Sequence, residues 1–202
     1  PERLPAGAYA HRLRLQTWLP GAASNAGGGT LVALERGADL AALDRECTFP
    51  AVSVAYPLAR PGERFPVADS RFGGFGVPDE DGATRHAVIL EGLAMITRLG
   101  VEKLMAGGVP DPELIRVTGG GSSSEPWMQV TANVLDRRLV SVPELDPAVG
   151  AALLAAASVS ERRLEDLTPA PGATGEAREY EPDPELARVY RERYGEFLDK
   201  LA

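Results

Sequence analysis

The amino-acid sequence predicts an α/β fold, a mixed sheet flanked by helices, and three observations predict it. From Asp81 onward the apolar pattern switches period repeatedly: helix, strand, helix, strand, helix. That order packs helices on a sheet. At its centre an apolar run, Leu114–Val117, reads as a buried strand, stops at Gly119, Gly120 and Gly121, and gives way to a helix behind Ser122, Ser123 and Ser124. Finally, 44% of the 202 residues are apolar. No apolar run approaches the roughly 20 residues of a membrane span, so this content is available for a core.

The elements follow in chain order. Residues 8–19 alternate and predict two short strands or a hairpin. A glycine-rich turn, Gly21–Gly29, leads into a helical segment at Thr30–Leu34, and Asp39–Arg45 predicts a short helix. Ala51–Tyr56 reads as a short strand. Pro57–Phe75, rich in proline, glycine and charge, reads as a long ordered loop, a kind of segment often functional or interfacial. Glu63 and Arg64 within it are expected to form a solvated or loop-bracing ion pair.

Asp81–Met105 is the longest helix candidate. Its runs Ala87–Leu90 and Leu93–Ile96 make it apolar almost all round, hence central. Glu91 lies between those runs, so its carboxylate must find donors, and a backbone-anchoring role is expected. Gly107 and Gly108 end the helix, and Pro110 and Pro112 prevent its resumption. Trp127, Val130 and Val134 recur at helical spacing, which makes Trp127 a core residue rather than a platform for a base. Leu139–Val142 reads as a strand and Asp146-Pro147 as a helix start. Residues 160–182 read as a linker. Asp183-Pro184 opens a last helix that docks through Leu186, Val189, Tyr190, Tyr194, Phe197, Leu198 and Leu201.

Composition excludes several function classes. The net charge of -8 argues against sequence-independent binding to nucleic acid or to anionic membrane. The one cysteine, Cys47, cannot form an internal disulfide, which suits a reducing cytoplasm. His11 and His86 are the only histidines, too few for an expected zinc site. Pro1–Pro5 is neither a signal peptide nor an initiator methionine, so the chain reads as part of something longer.

A strand, a glycine turn and a helix start bring backbone N–H groups to face an anion or nucleotide. Glycine suits such a site because no side chain stands between ligand and main chain. Taken alone, each bend reads more readily as a structural turn. Neither carries the GxxxxGK[ST] or GxGxxG pattern. Two in one chain, each opening a helix, predict opposite walls of one pocket.

Val117–Ser122, Trp127-Met128-Gln129, Asn133-Val134-Leu135, Gly150–Ala156 and Glu91–Ala94 together resemble the C-terminal domain of the FGGY carbohydrate kinases. Ala8–Leu13, Gly21–Gly28, Tyr56-Pro57-Leu58 and Pro61–Pro66 resemble the pentulose-kinase branch, the D-ribulose kinases most of all, with xylulose kinases close by. The likeness runs discontinuously over residues 8–158. It implies an actin-like, ribonuclease-H-like ATPase domain spanning 1–202, the C-terminal half of a two-domain kinase that uses ATP and Mg²⁺ on a ketopentose. It also implies that the catalytic aspartate and most sugar contacts belong to the N-terminal domain, this chain's own partner. By motif, Gly119, Gly120, Gly121 and Ser122 are expected against the α-phosphate and ribose, Ser124 near the adenine, and Gly27 and Gly28 on the facing wall. Many relatives carry Gly-Gly-Gly-Ala-Lys-Ser where this chain has Gly-Gly-Gly-Ser-Ser-Ser. The lone half is expected to bind nucleotide weakly, not to turn over, and to self-associate, as a homodimer for example, through faces meant for its partner domain. Two other readings stand beside this one: a stand-alone nucleotide-binding or interaction module with the fold but no catalysis, and another actin-like ATPase such as a chaperone.

Overall fold

The structure is a computed structural model that describes residues 4–12, 18–142, 147–160, 162–167 and 177–202. Strands β1 (Ala8–Arg12) and β2 (Trp18–Ala22) form the expected hairpin, antiparallel from Ala8↔Ala22 to Arg12↔Trp18. Residues 13–17 of the predicted alternation lie outside the described residues. Helices α1 (Gly28–Leu34) and α2 (Leu40–Glu46) follow, the second capped by the Asp39 carboxylate, which accepts from the Ala42 amide. The long helix α3 (Ala83–Ala106) ends where expected, but only Gly108 takes up a left-handed backbone (φ 90°), while Gly107 remains at φ -81°.

Strand β3 (Leu114–Val117), a 3-10 turn (Gly120–Ser123), helix α4 (Glu125–Leu135) and strand β4 (Arg138–Ser141) form the central unit. The β3–β4 pair is parallel, as a crossover through α4 requires. Strand β3 is half-buried rather than buried because it stands at the edge of the sheet, and β4 occupies the middle. Helix α5 (Pro147–Val159) is followed by a four-residue helix α6 (Leu164–Leu167). The predicted cap Asp146 lies outside the described residues. Within the 160–182 span, Arg178–Tyr180 forms β5, antiparallel to β4. Helix α7 (Pro184–Leu201) starts on Asp183, whose carboxylate accepts from the amides of Glu185 and Leu186.

Helix α4 lies between two packed layers. One face meets the sheet through Met128, Ala132 and Leu135 against Leu139 and Tyr180. The other meets α3 and α7 through Val130 and Val134 against Met95, Leu99, Tyr190 and Phe197. Of the stripe predicted for α7, Tyr190, Tyr194 and Phe197 are buried, whereas Leu198 faces solvent and Ala187 takes an inner position. The Phe197 ring stacks on Tyr56 at 5.8 Å.

Ala51–Tyr56 is not the strand its sequence predicts. Only Tyr56 is bridged, to Phe75, and the segment is pressed against α3 instead. Its backbone groups find partners there: the Ala51 amide donates to Glu91 Oε2 at 2.8 Å. Glu91, buried in α3, also accepts from the Tyr190 hydroxyl at 3.2 Å and from Arg193 through both Nε and Nη2. It therefore anchors backbone, as expected, and ties α7 to α3. Burial pushes the Glu91 carboxyl above the ordinary carboxylate range, against the Ala51 amide and the Arg193 guanidinium, which pull it down.

One turn of α3 must come this close, and Gly92 makes it possible. A Cβ there would stand 2.5 Å from the Ala55 carbonyl oxygen and 2.7 Å from Pro57 Cδ, both within a buried segment. Gly92→Ala therefore forces α3 away from residues 55–57. We expect a loss of about 2 kcal/mol, read as a lower urea midpoint at unchanged m-value.

Candidate functional site

The first glycine bend is held by a buried carboxylate. Glu63, 3% exposed, accepts from Ser24 Oγ at 2.8 Å, the Asn25 amide at 2.7 Å, the Tyr56 hydroxyl at 2.9 Å and the Arg64 amide at 2.8 Å. Burial, followed by the negative charge of Glu63, raises the Tyr56 hydroxyl above its usual range, so it stays a neutral donor. Arg64 does not pair with Glu63. Its Nε donates to Asn25 Oδ1 at 2.7 Å and its Nη2 to the Ser24 carbonyl at 3.3 Å. Both residues brace the loop, as the sequence suggested, but through the bend rather than through each other. Thr30 Oγ1 closes the bend from the helix side by donating to the Asn25 carbonyl at 2.8 Å.

The second bend is built from its own groups. Gly119 takes a left-handed backbone (φ 93°), and its carbonyl accepts from the Ser122 amide at 3.0 Å and from Ser122 Oγ at 2.7 Å. Ser122 is buried, and its hydroxyl locks the turn. Ser124 Oγ accepts from the Trp127 amide at 3.3 Å and caps α4. Gly121 sits directly on the Trp127 ring; a Cβ would fall 3.0 Å from Cη2 and nearer still to Cζ3.

A cleft of about 220 Å³ lies between Gly27 on one side and Trp127 on the other, with Phe65 and, on α3, Leu93, Ile96 and Thr97 also lining it. Its walls are largely apolar. A second groove, about 390 Å³, shares Ser24, Ala26 and Gly27 with the first and runs to Arg60 and Arg64. Gly27 therefore stands where the two meet, and Gly28 is the first residue of α1. Of the glycines and serines expected to form facing walls, only Gly27 lines the cleft; Gly28, Gly119, Gly120, Gly121, Ser122 and Ser124 do not. The second bend reaches it through the seat of Gly121 on Trp127.

An open front marks both bends. At Gly27, Gly28, Gly119 and Gly120 an added Cβ would meet no atom within 4 Å. Space in front of the main chain lets a ligand come directly against the backbone at these positions. Among the described residues no three His, Cys, Asp or Glu side chains converge on a metal position. Sequence reasoning missed Trp127 as a cleft wall, because its spacing with Val130 and Val134 marks a core face and the half-buried ring belongs to both. It also missed Arg60, which stands in a loop with no periodic signal.

Comparisons with known proteins bear on the family and the fold. The model of the FGGY family of carbohydrate kinases, C-terminal domain, matches residues 13–159. The chain is 33% identical over 100 residues to the xylulose kinase of Bacillus subtilis (strain 168), covering 47% of this chain and 20% of that protein. It is 29% identical over 117 residues to the ribulokinase of Geobacillus thermodenitrificans (strain NG80-2), covering 55% and 21%. The chain matches only about a fifth of the length of these curated relatives. The crystal structure of a xylulose kinase from Brucella ovis superposes with a TM-score of 0.79 at 25% identity, over 96% of this chain and 42% of that one. The fold is accordingly the α/β, actin-like one that the resemblance implied. No helix among the described residues is long and apolar enough to cross a membrane.

Removing the Glu63 carboxylate leaves the Tyr56 hydroxyl, Ser24 Oγ and the Asn25 amide without their acceptor. Glu63→Ala is expected to lose about 3 kcal/mol in denaturant unfolding and to speed hydrogen exchange at the Asn25 amide.

Proposed function

The chain belongs to the FGGY family of carbohydrate kinases through that family's C-terminal domain, and on that premise we propose that it is the ATP-binding half of a two-domain kinase that phosphorylates a ketopentose, D-ribulose or D-xylulose. One observation carries the nucleotide assignment. At Gly27, Gly28 and Gly120 neither a left-handed backbone nor a packed neighbour calls for glycine. Gly27 is the N-cap of α1, where glycine is an ordinary choice, but within the helical turns at Gly28 and Gly120 glycine costs about 1 kcal/mol relative to alanine. A ligand that comes against the main chain accounts for its presence at both bends.

In this reading the apolar cleft beside Trp127 takes the adenosine. Gly119, Gly120 and Gly121 bear on the ribose and α-phosphate, with Ser122 holding their turn, Ser124 lies near the adenine, and Gly27 and Gly28 form the facing wall. Phosphoryl transfer depends mostly on positioning and on stabilising the charge of the transferred group. Backbone amides at bends braced by Glu63 and by Ser122 supply fixed positions that require no reorganisation. Mg²⁺ neutralises the phosphates when bound. Its protein ligands, like the base that deprotonates the sugar hydroxyl, are assigned to the N-terminal domain. The two halves close over the sugar and exclude water.

The ketopentose assignment draws support from the pentulose-kinase segments at residues 8–13, 21–28 and 56–66. An assay of ADP release by the full-length protein with D-ribulose, D-xylulose, L-ribulose and glycerol tests it. One of the first two should stand well above glycerol, and equal inactivity on all four would remove the kinase assignment. Gly120→Val probes the loop. Its side chain enters open space, so the melting temperature should hold while ATP affinity falls by at least tenfold. Unchanged affinity would reduce the loop to a turn.

A further inference from the structure

We propose that Arg60 and Arg64 form the phosphate end of the nucleotide cleft. The inference rests on the nucleotide-binding reading above and adds to it where the anionic tail of the ligand goes. The apolar cleft and the cationic groove meet along Ser24, Ala26 and Gly27. With the adenosine against Trp127 and its 5′ end between the Gly119–Gly121 turn and Gly27, the groove leads on from Gly27 to the two arginines.

Both side chains are disposed for this. Arg64 is fixed by its bonds to Asn25 Oδ1 and the Ser24 carbonyl, which leave the rest of its guanidinium donors for a ligand. Arg60 is exposed and has no hydrogen-bond or ion-pair partner among the described residues. The nearest carboxylate in sequence, Glu63, is buried and saturated by donors of the bend, so its oxygens are already engaged. The result is a pair of guanidinium groups in one groove of a chain whose net charge is -8. Guanidinium binds phosphate oxygens through paired, charge-assisted hydrogen bonds, and a groove with this lining selects anions where the rest of the surface repels them.

Titration calorimetry of the full-length protein with adenosine, AMP, ADP and ATP tests the assignment, with Arg60→Ala as the principal variant. Arg60 is exposed and makes no hydrogen bond or ion pair among the described residues, so this variant should unfold at the wild-type temperature. We expect about a tenfold loss of ATP affinity, a smaller loss for AMP, none for adenosine, and a shallower salt dependence of ATP binding. Arg60→Lys should recover part of the loss. An equal loss for adenosine and ATP, or no loss for either, would overturn the proposal. A ketopentose phosphate, titrated in parallel, separates the two phosphate sources: if its binding alone responds to Arg60→Ala, the groove serves the sugar product and the proposal fails. A wild-type protein that binds none of the four nucleosides and nucleotides would overturn the nucleotide reading itself and this inference with it. Wild-type binding that is indifferent to Arg60 would overturn only the inference.

Discussion

A carboxylate taken out of water must be repaid in hydrogen bonds, and Glu63 meets that constraint by gathering donors from three parts of the chain. Ser24 and Asn25 come from the bend after β2, Tyr56 from the segment under α3, and Arg64 from its own loop. Each donor is tolerable in its buried place only because the others are there. The bend is consequently not a flexible glycine loop, although its sequence looks like one. Its backbone is pinned at Ser24 and Asn25, while the main chain at Gly27 and Gly28 is left bare. Rigid backbone with an open front is the arrangement a preorganised binding site needs.

The same logic recurs one layer down. Glu91 sits in the buried middle of α3 and gathers the Ala51 amide, the Tyr190 hydroxyl and Arg193. Through it, α3, α7 and the irregular 51–56 segment share one anchor, and Gly92 brings that segment into contact. The two acidic residues divide the work: Glu91 fixes the frame, and Glu63 fixes the bend relative to the frame.

Much of this was legible in the sequence. The helices at 83–106, 125–135 and 184–201 announce themselves by long apolar runs or periodicity and by caps such as Ser124 and Asp183, because those signals are local. Ala51–Tyr56 misled because a short, mostly apolar segment does not say what it packs against; its partner is a helix, and nothing nearby says so. The strand at Arg178–Tyr180 escaped because only Tyr180 of its three residues faces the core. At the site, the glycines stood out, but what holds them did not. Ser24 and Glu63 are 39 residues apart, and no periodicity spans that distance. The expectation that Glu63 would answer Arg64 followed from adjacency in sequence, whereas the fold turns both toward Asn25.

The contact of Gly121 with Trp127 has a consequence of its own. The α-carbon of one bend and the indole of the cleft wall occupy a common space without slack. Neither position can be altered independently. A methyl group at 121 has room only if the ring at 127 shrinks, and a smaller ring at 127 leaves a void beneath 121. The two behave as a single coupled unit of the sequence, a key and its ward, even though each alone reads as an ordinary turn glycine and an ordinary core aromatic.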